Sequence, residues 1–158
     1  MYIETPRMLI RGFCLDDAAD LHEIFSDAET MENCEPAYDP AKTKDFLSSF
    51  CISRQGALAA VHKDSGKMIG YILFNEYEEG VYEIGWIFNR RFWRQGYAYE
   101  VCLAILDYMY ENYETEQIYI FIEPQNSPSI HLAKKLGAEF YKEKCMGNCD
   151  GYIMKLSR

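Results

Sequence analysis

The stretch Trp93–Glu100, which reads Trp-Arg-Gln-Gly-Tyr-Ala-Tyr-Glu, constrains the fold more than any other part of the chain. It follows a predicted strand, Val81–Phe88, and opens a long helical pattern over Tyr97–Tyr113. The first N–H groups of a helix lack partners and carry a partial positive charge, so a helix that begins beside a glycine behind a strand is suited to bind phosphate. Basic side chains there would add charge-assisted contacts, and the segment holds Arg90, Arg91 and Arg94. Taken alone, the stretch fits a plain strand-to-helix turn equally well.

The same stretch resembles the acyl-CoA pyrophosphate loop of the GCN5-related N-acetyltransferase (GNAT) superfamily, whose motif is Arg/Gln-x-x-Gly-x-Gly/Ala. The register here is Trp93-x-x-Gly96-x-Ala98. A leading Trp is frequent in the branch that includes the ribosomal-protein-alanine N-acetyltransferases, which commonly shows Trp-Gly-Lys-Gly-Tyr-Ala. The chain is therefore similar to that branch at this loop.

Two further stretches support the resemblance. Thr5–Arg11, followed by Asp16 and Asp17, resembles the opening of the family, and Asn126-x-x-Ser129 followed by Lys135-Leu136-Gly137 resembles its later helix. The matching stretches occur in the right order over almost the whole chain, so we expect one N-acetyltransferase domain over residues 1–158.

Composition narrows the class of protein. The 158 residues are 49% hydrophobic and carry a net charge of −9, which is typical of one globular domain and unfavourable for nucleic-acid binding. No apolar run reaches the ~20 residues of a membrane span, and no signal-peptide pattern opens the chain. We therefore expect a cytoplasmic protein with no membrane or nucleic-acid partner.

The six cysteines do not indicate a metal site. Free thiols are the default in a reducing compartment. Cys145 and Cys149 form the only close pair, and no second Cys/His pair completes a zinc set. We expect no metal and two free thiols in a hairpin turn around Gly147 and Asn148.

Hydrophobic periodicity predicts the order β-α-α-β-β-β-α-β-α-β-β. The predicted strands are Met8–Phe13, Ala57–His62, Met68–Glu76, Val81–Phe88, Ile118–Ile122, Ala138–Cys145 and Gly151–Leu156, and the predicted helices cover Asp16–Phe25, Pro40–Ser53, Tyr97–Tyr113 and Ser127–Leu136. The resemblance implies an α/β (α+β) fold with a mixed, mostly antiparallel sheet, one central parallel pair splayed to admit acyl-CoA, and helices on both faces. A β-bulge is the usual cause of such a splay.

The resemblance also implies how acetyl-CoA binds. Backbone groups of Trp86, Ile87 and Phe88 would bond the pantetheine arm, although the side chains of Trp86 and Phe88 also suit a plain core. Asn126 and Ser129 would contact the arm and the sulfur, and Asn126 has the alternative role of capping its helix. The backbone N–H groups expected to face the pyrophosphate are those of Arg94, Gln95, Gly96, Tyr97 and Ala98.

Acetyl transfer to an amine needs a base, because most amines are protonated at neutral pH. Glu83 is the candidate, since strand alternation places Glu83, Gly85 and Ile87 on one face; a solvent-facing carboxylate is the alternative. A strand N–H near Ile87 would stabilise the oxyanion. Many superfamily members place a Tyr to protonate the thiolate where this chain has Ala133, so Ser129 is the remaining candidate for that role.

We therefore expect an acetyl-CoA-dependent N-acetyltransferase that acts on a primary amine, either a protein or peptide α-amine or a small amine, by direct attack in a ternary complex. The alternative is a member of the same fold that only binds acyl-CoA or a partner protein. The sequence leaves a homodimer open. The acidic segment Ser26–Tyr38 suggests a cationic acceptor, drawn in by Asp27, Glu29, Glu32 and Glu35.

Overall fold

The computed structural model describes residues 1–146 and 149–157, which form one mixed sheet with helices packed on it. The predicted turn at Gly147 and Asn148 lies outside these residues, and the predicted free thiols of Cys145 and Cys149 lie outside the side chains that the structure describes. The strands are β1 (Ile3–Glu4), β2 (Met8–Gly12), β3 (Ala57–His62), β4 (Met68–Glu78), β5 (Val81–Phe88), β6 (Gln117–Ile122), β7 (Glu139–Met146) and β8 (Cys149–Leu156). The helices are α1 (Ala18–Phe25), α2 (Pro40–Phe46), α3 (Tyr97–Asn112) and α4 (Ser127–Lys135).

The sheet confirms the predicted architecture. Its strand order is β1-β2-β3-β4-β5-β6-β8-β7, and every neighbouring pair is antiparallel except β5 and β6. The predicted order of elements is also confirmed, with the two-residue β1 added at the edge.

The central parallel pair is short. It runs only from Val81–Glu83 opposite Gln117–Tyr119, and beyond that point β5 and β6 part. The expected bulge is not the cause, because the β4–β5 register is regular from Gly70–Phe88 to Glu76–Tyr82 and shifts only beyond Glu76, at the other end of the pair. Instead β5 stays paired with β4 while β6 stays paired with β8, so each strand of the parallel pair follows its antiparallel partner.

Each face of the sheet has its own hydrophobic core. Even-numbered β5 residues pack against α3 and α4, and odd-numbered β5 residues face α1 and α2. The first core includes Ile84, Phe88, Val101, Ile105, Met109, Ile120 and Ala133. The second includes Leu21, Ile24, Phe25, Leu47 and Tyr71, with Ile87 packed at its edge. Helices on both faces are therefore confirmed.

The helix predicted over Pro40–Ser53 changes character halfway. Asp39 caps its start by accepting a bond from the Lys42 N–H at 2.7 Å. From Leu47 to Ser53 the backbone is a π-helix. Serine hydroxyls bond carbonyls one turn back along this segment, which competes with regular α-helical bonding.

Candidate active site

The loop before α3 has a left-handed backbone that favours glycine. Gly96 immediately precedes α3 and has a φ of 82°, and Arg94 has a φ of 59°. Asn89 orders the start of the loop by accepting a bond from the Arg91 N–H at 3.0 Å. The first N–H groups of α3 are free, and Gly96 beside them has no side chain that would keep a ligand away from the backbone. A phosphate site requires both features.

Arg7, from the loop between β1 and β2, braces this phosphate loop. Its Nε lies 2.7 Å from Glu100 Oε2, and its Nη1 donates to the carbonyl of Gln95 at 2.9 Å. Its guanidinium also lies 4.2 Å from the centre of the Tyr97 ring. The Thr5 hydroxyl donates to the same Glu100 carboxylate at 2.6 Å. Sequence reasoning used Arg7 only as part of a motif and missed this role.

The brace has an electrostatic consequence for Glu100. Burial raises the pKa of this carboxyl, but the hydrogen bonds from the Thr5 hydroxyl and from the backbone and side chain of Arg7 outweigh burial and lower the pKa overall. Glu100 therefore stays ionised and keeps the Arg7 guanidinium pointed at the loop.

The three arginines of the segment do not act together. Arg90 is paired with Asp27 at 3.1 Å and also with Glu29. Arg91 lies 3.5 Å from Glu23. Within residues 1–146 and 149–157, Arg94 forms no ion pair and is exposed. The expectation that all three would contact phosphate is corrected, because two of them hold acidic side chains of α1 and the loop after it.

A cavity of about 610 Å³, here named the larger cavity, opens where β5 and β6 separate. It is bounded by the end of β5, the phosphate loop, the start of α4 and the loop after α1, and Lys135 and Tyr99 also line it. Gln95 is the one predicted cofactor residue outside the lining; its carbonyl binds Arg7 instead. The predicted residues that line this larger cavity are Trp86, Ile87, Phe88, Arg94, Gly96, Tyr97, Ala98, Asn126 and Ser129.

The strand register decides which backbone groups face the opening. The Asn89 N–H donates to the Ile69 carbonyl at 2.8 Å, so odd-numbered residues of β5 direct their backbone groups to β4. The backbone groups of Ile87 therefore point away from the opening, so the strand N–H expected near Ile87 would belong to one of its neighbours. Trp86 and Phe88 face it, and the Phe88 carbonyl already accepts a bond from the Trp93 indole Nε1 at 2.8 Å.

At the start of α4, Asn126 caps the helix, as the alternative proposed. Its Oδ1 accepts from the Ser129 N–H at 3.3 Å, and Asn126 lines the larger cavity. The Ser129 hydroxyl has no hydrogen-bond partner in the part of the chain that the structure describes. Ala133 is fully buried in the first core. Alanine offers no proton donor at that position, whereas Ser129, one turn earlier, lines the larger cavity.

Glu83 is the last β5 residue paired with β6, directly opposite Tyr119. It lines a smaller cavity of about 350 Å³ on the sheet face that carries α1 and α2, not the larger cavity. The Tyr77 hydroxyl donates to Glu83 Oε2 at 2.5 Å. Partial burial and this hydrogen bond raise the pKa of Tyr77 to about 12. Glu83 thus lies in a cleft at the point where the two strands separate.

The acidic loop does not have the expected free carboxylates. Asp27 and Glu29 are paired with Arg90, and Glu35 accepts a bond from the Tyr38 hydroxyl at 2.5 Å. The loop also borders the larger cavity rather than the cavity around Glu83. Three of the four carboxylates therefore have partners, and the capture of a cationic acceptor by this loop stays a prediction.

The described residues contain no group of three or more His, Cys, Asp or Glu side chains placed to hold a metal ion. A search of the same residues finds no helix with the length and apolarity of a membrane span.

A parallel strand pair that separates beside the glycine before a helix is the arrangement that the resemblance implied. The chain belongs to the GNAT family of acetyltransferases, since the family model described as "Acetyltransferase (GNAT) domain" matches residues 7–139. It is an N-acetyltransferase, and enzymes of this fold use acetyl-CoA.

Relatives agree over nearly the full length. The protein called "Uncharacterized N-acetyltransferase YnaD" from Bacillus subtilis (strain 168) is 33% identical over 150 residues, which are 92% of this chain and 88% of that protein. The crystal structure of a GNAT-family acetyltransferase from Bacillus anthracis has a TM-score of 0.91 at 29% identity and covers 99% of this chain and 98% of its own. The RimL ribosomal L7/L12 α-N-protein acetyltransferase in complex with coenzyme A shares the fold, with a TM-score of 0.84 at 13% identity over 99% of this chain and 98% of that one.

Proposed function

We propose that the chain transfers the acetyl group of acetyl-CoA to a primary amine by direct attack in a ternary complex. The observation that carries this proposal is the end of β5–β6 pairing at Glu83 and Tyr119, with one cavity on each side of the separation. The larger cavity suits the acyl donor, and the smaller cavity suits the acceptor amine.

The donor binds through backbone groups. The pyrophosphate meets the N–H groups at the start of α3, beside Gly96, with Arg94 as the unpaired cation. The arm then follows the separated end of β5, where the backbone of Trp86 and the N–H of Phe88 are the available partners. Asn126 contributes its amide NH₂ from α4.

Glu83 accepts the proton that the amine must lose. Trp86, whose N–H is the nearer candidate for the oxyanion donor, lies three residues further along β5, which corresponds to about 10 Å of strand. A glutamate side chain spans less than that distance, so the proton travels through at least one water. The Tyr77 hydroxyl keeps Glu83 oriented toward the smaller cavity.

Ser129 assists the departing thiolate by donating its hydroxyl hydrogen bond to the sulfur. A thiol of pKa ~8.5 is a good leaving group, so a hydrogen bond suffices without a stronger acid. The residue at position 133 supports this choice, because alanine has no group that could protonate the thiolate.

The test is amine-dependent release of coenzyme A thiol from acetyl-CoA over a panel of peptides and small amines, with wild type and Glu83→Gln. We expect the variant to lose ~10²–10⁴-fold in turnover at neutral pH, as removal of a general base does, while calorimetry shows unchanged acetyl-CoA affinity. Glu79→Gln is the matched control, since Glu79 is exposed in the β4–β5 turn and lines neither cavity.

Acetyl-CoA binding without thiol release from any amine would show a non-catalytic binder of the same fold. A Glu83→Gln enzyme within about threefold of wild type would leave the transfer reaction in place but remove Glu83 as its base.

A further inference from the structure

Aromatic side chains form much of the lining of the smaller cavity. The Phe121 ring lies flat against β8 because residue 151 is glycine; a Cβ there would lie 2.1 Å from the ring. Tyr119 and Tyr141 stand beside it with ring centres 5.8 Å apart. Among the described residues, none from helices α1 to α4 lines this cavity. The cavity therefore offers an open apolar surface for the body of a small substrate.

One end of this cavity is acidic. Glu83 and Glu78 line it on β5 and at the end of β4. Glu83 accepts the Tyr77 hydrogen bond on one oxygen, which leaves the other oxygen free to accept from an ammonium group.

The opposite end is basic. Lys142 and Lys144 line the cavity from β7, and the Lys142 Nζ lies 5.3 Å from the centre of the Tyr141 ring. The described part of the chain gives neither lysine an acidic partner within ion-pair distance. By contrast, Lys63 and Lys67 are paired with carboxylates at 3.0 and 2.7 Å. Two lysines without a carboxylate partner among the described residues thus line the cavity from β7, away from Glu83 and Glu78 on β5 and β4.

We propose that the acceptor is an anionic amine: a primary amine and a carboxylate separated by an apolar spacer, with the amine at Glu83 and the carboxylate at Lys142 and Lys144. This inference rests on the proposed function and specifies its substrate class. The cavity volume of about 350 Å³ fits a small molecule or two to three residues of a peptide.

The sheet order sets the spacing between the two charges. From β5 the chain of neighbours is β6, β8 and β7, so Glu83 and Lys142 lie three strand intervals apart, or ~14 Å between strand axes. Side chains shorten this gap but do not close it onto a single carbon atom. An acidic side chain near a peptide N-terminus, or an ω-amino carboxylate, therefore fits better than the α-amine and α-carboxylate of a free amino acid.

The experiment compares acceptors that differ only in charge. One arm uses the peptide amides Ala-Asp-Phe and Ala-Asn-Phe, and the other uses 6-aminohexanoate and 6-aminohexanamide; thiol release from acetyl-CoA is the readout. We expect kcat/KM to favour the carboxylate member by about tenfold at low salt, the size of two partly exposed ion pairs. The preference should shrink as salt screens the lysines. The arm with the larger preference identifies a peptide or a small molecule as the source.

The double variant Lys142→Gln/Lys144→Gln should raise KM for the carboxylate acceptors until the preference over the neutral acceptors disappears. Lys44→Gln is the matched control, because Lys44 is an exposed lysine that lines neither cavity. Equal kcat/KM within each pair at low salt, or a preference that survives the double variant, would overturn the inference. Absence of thiol release with every amine would instead overturn the proposed function.

Discussion

Replacing Gly96 by alanine should separate the structural and the binding roles of the phosphate loop. The φ of 82° at Gly96 is a left-handed conformation, which an L-residue adopts at a cost of roughly 1–2 kcal/mol. The added Cβ would lie 3.3 Å from Arg7 Nη2, close enough to push on the brace. We therefore expect the free energy of unfolding without ligand to fall by about 1–2 kcal/mol.

The effect on acetyl-CoA should be additional. A methyl group at the point where the pyrophosphate meets the backbone displaces it enough to lose one charge-assisted hydrogen bond, or ~2 kcal/mol. That corresponds to about 30-fold in Kd. Isothermal titration calorimetry on the folded variant measures the change directly, and urea unfolding measures the stability.

Gly66→Ala is the matched control for this pair of measurements. Gly66 has a φ of 69° and no atom within 4 Å of its would-be Cβ, and it lies in the β3–β4 turn. It should lose the same stability with no change in Kd. If Gly96→Ala binds acetyl-CoA as tightly as Gly66→Ala does, Gly96 does not contact the donor and the assignment of the phosphate loop is wrong.

Three other predictions follow from single contacts. Arg7→Lys keeps the charge but loses the two-pronged contact with Glu100 and the loop, so KM for acetyl-CoA should rise by about three- to tenfold with kcat nearly constant; a fall in kcat alone would contradict a positioning role. Ser129→Ala should lower kcat while Tm stays constant, whereas a lower Tm with normal turnover would show that Ser129 only supports α4. Asp17 is 4% exposed and accepts bonds from Arg11 at 2.8 and 2.9 Å; burial raises its pKa, but these and other hydrogen bonds lower it overall, below the ordinary 3.8. The stability that ionised Asp17 contributes is therefore present above pH 3.8 and is lost as the pH falls through the lower pKa of the folded state. Asp17→Asn should remove this acid dependence together with about 3 kcal/mol of stability at pH 7. Urea unfolding at several pH values measures both effects.

The sequence by itself determined the secondary-structure elements and the glycine turn before α3. Hydrophobic periodicity placed the strands and helices, since a period of two or 3.6 residues is a local property. The glycine of the phosphate loop was also predictable, because a strand followed by a tight turn and a helix start needs such a residue at Gly96. The alternation of β5 correctly set Glu83, Gly85 and Ile87 on one face.

Only the tertiary structure decided which charges meet. Arg7 reaches the Gln95 carbonyl across 88 positions, and Arg90 reaches Glu29 across 61. Arg90 was a supposed phosphate ligand and Glu29 a supposed steering carboxylate, but in the structure they are partners of each other. Local patterns do not contain such contacts, because they depend on how loops from opposite ends of the sheet come together.

The acceptor cavity is also a feature that only the tertiary structure decided. Its acidic end comes from β5 and its basic end from β7. Glu83 and Lys142 are 59 positions apart in the sequence, but β5 and β7 are only three strand intervals apart in the sheet. The register also decided that the backbone groups of Ile87 bond β4 while those of its neighbours face the opening, since backbone direction alternates along a strand. Sequence fixes what each strand can present on its two faces, whereas strand order and register determine which of those faces lie side by side.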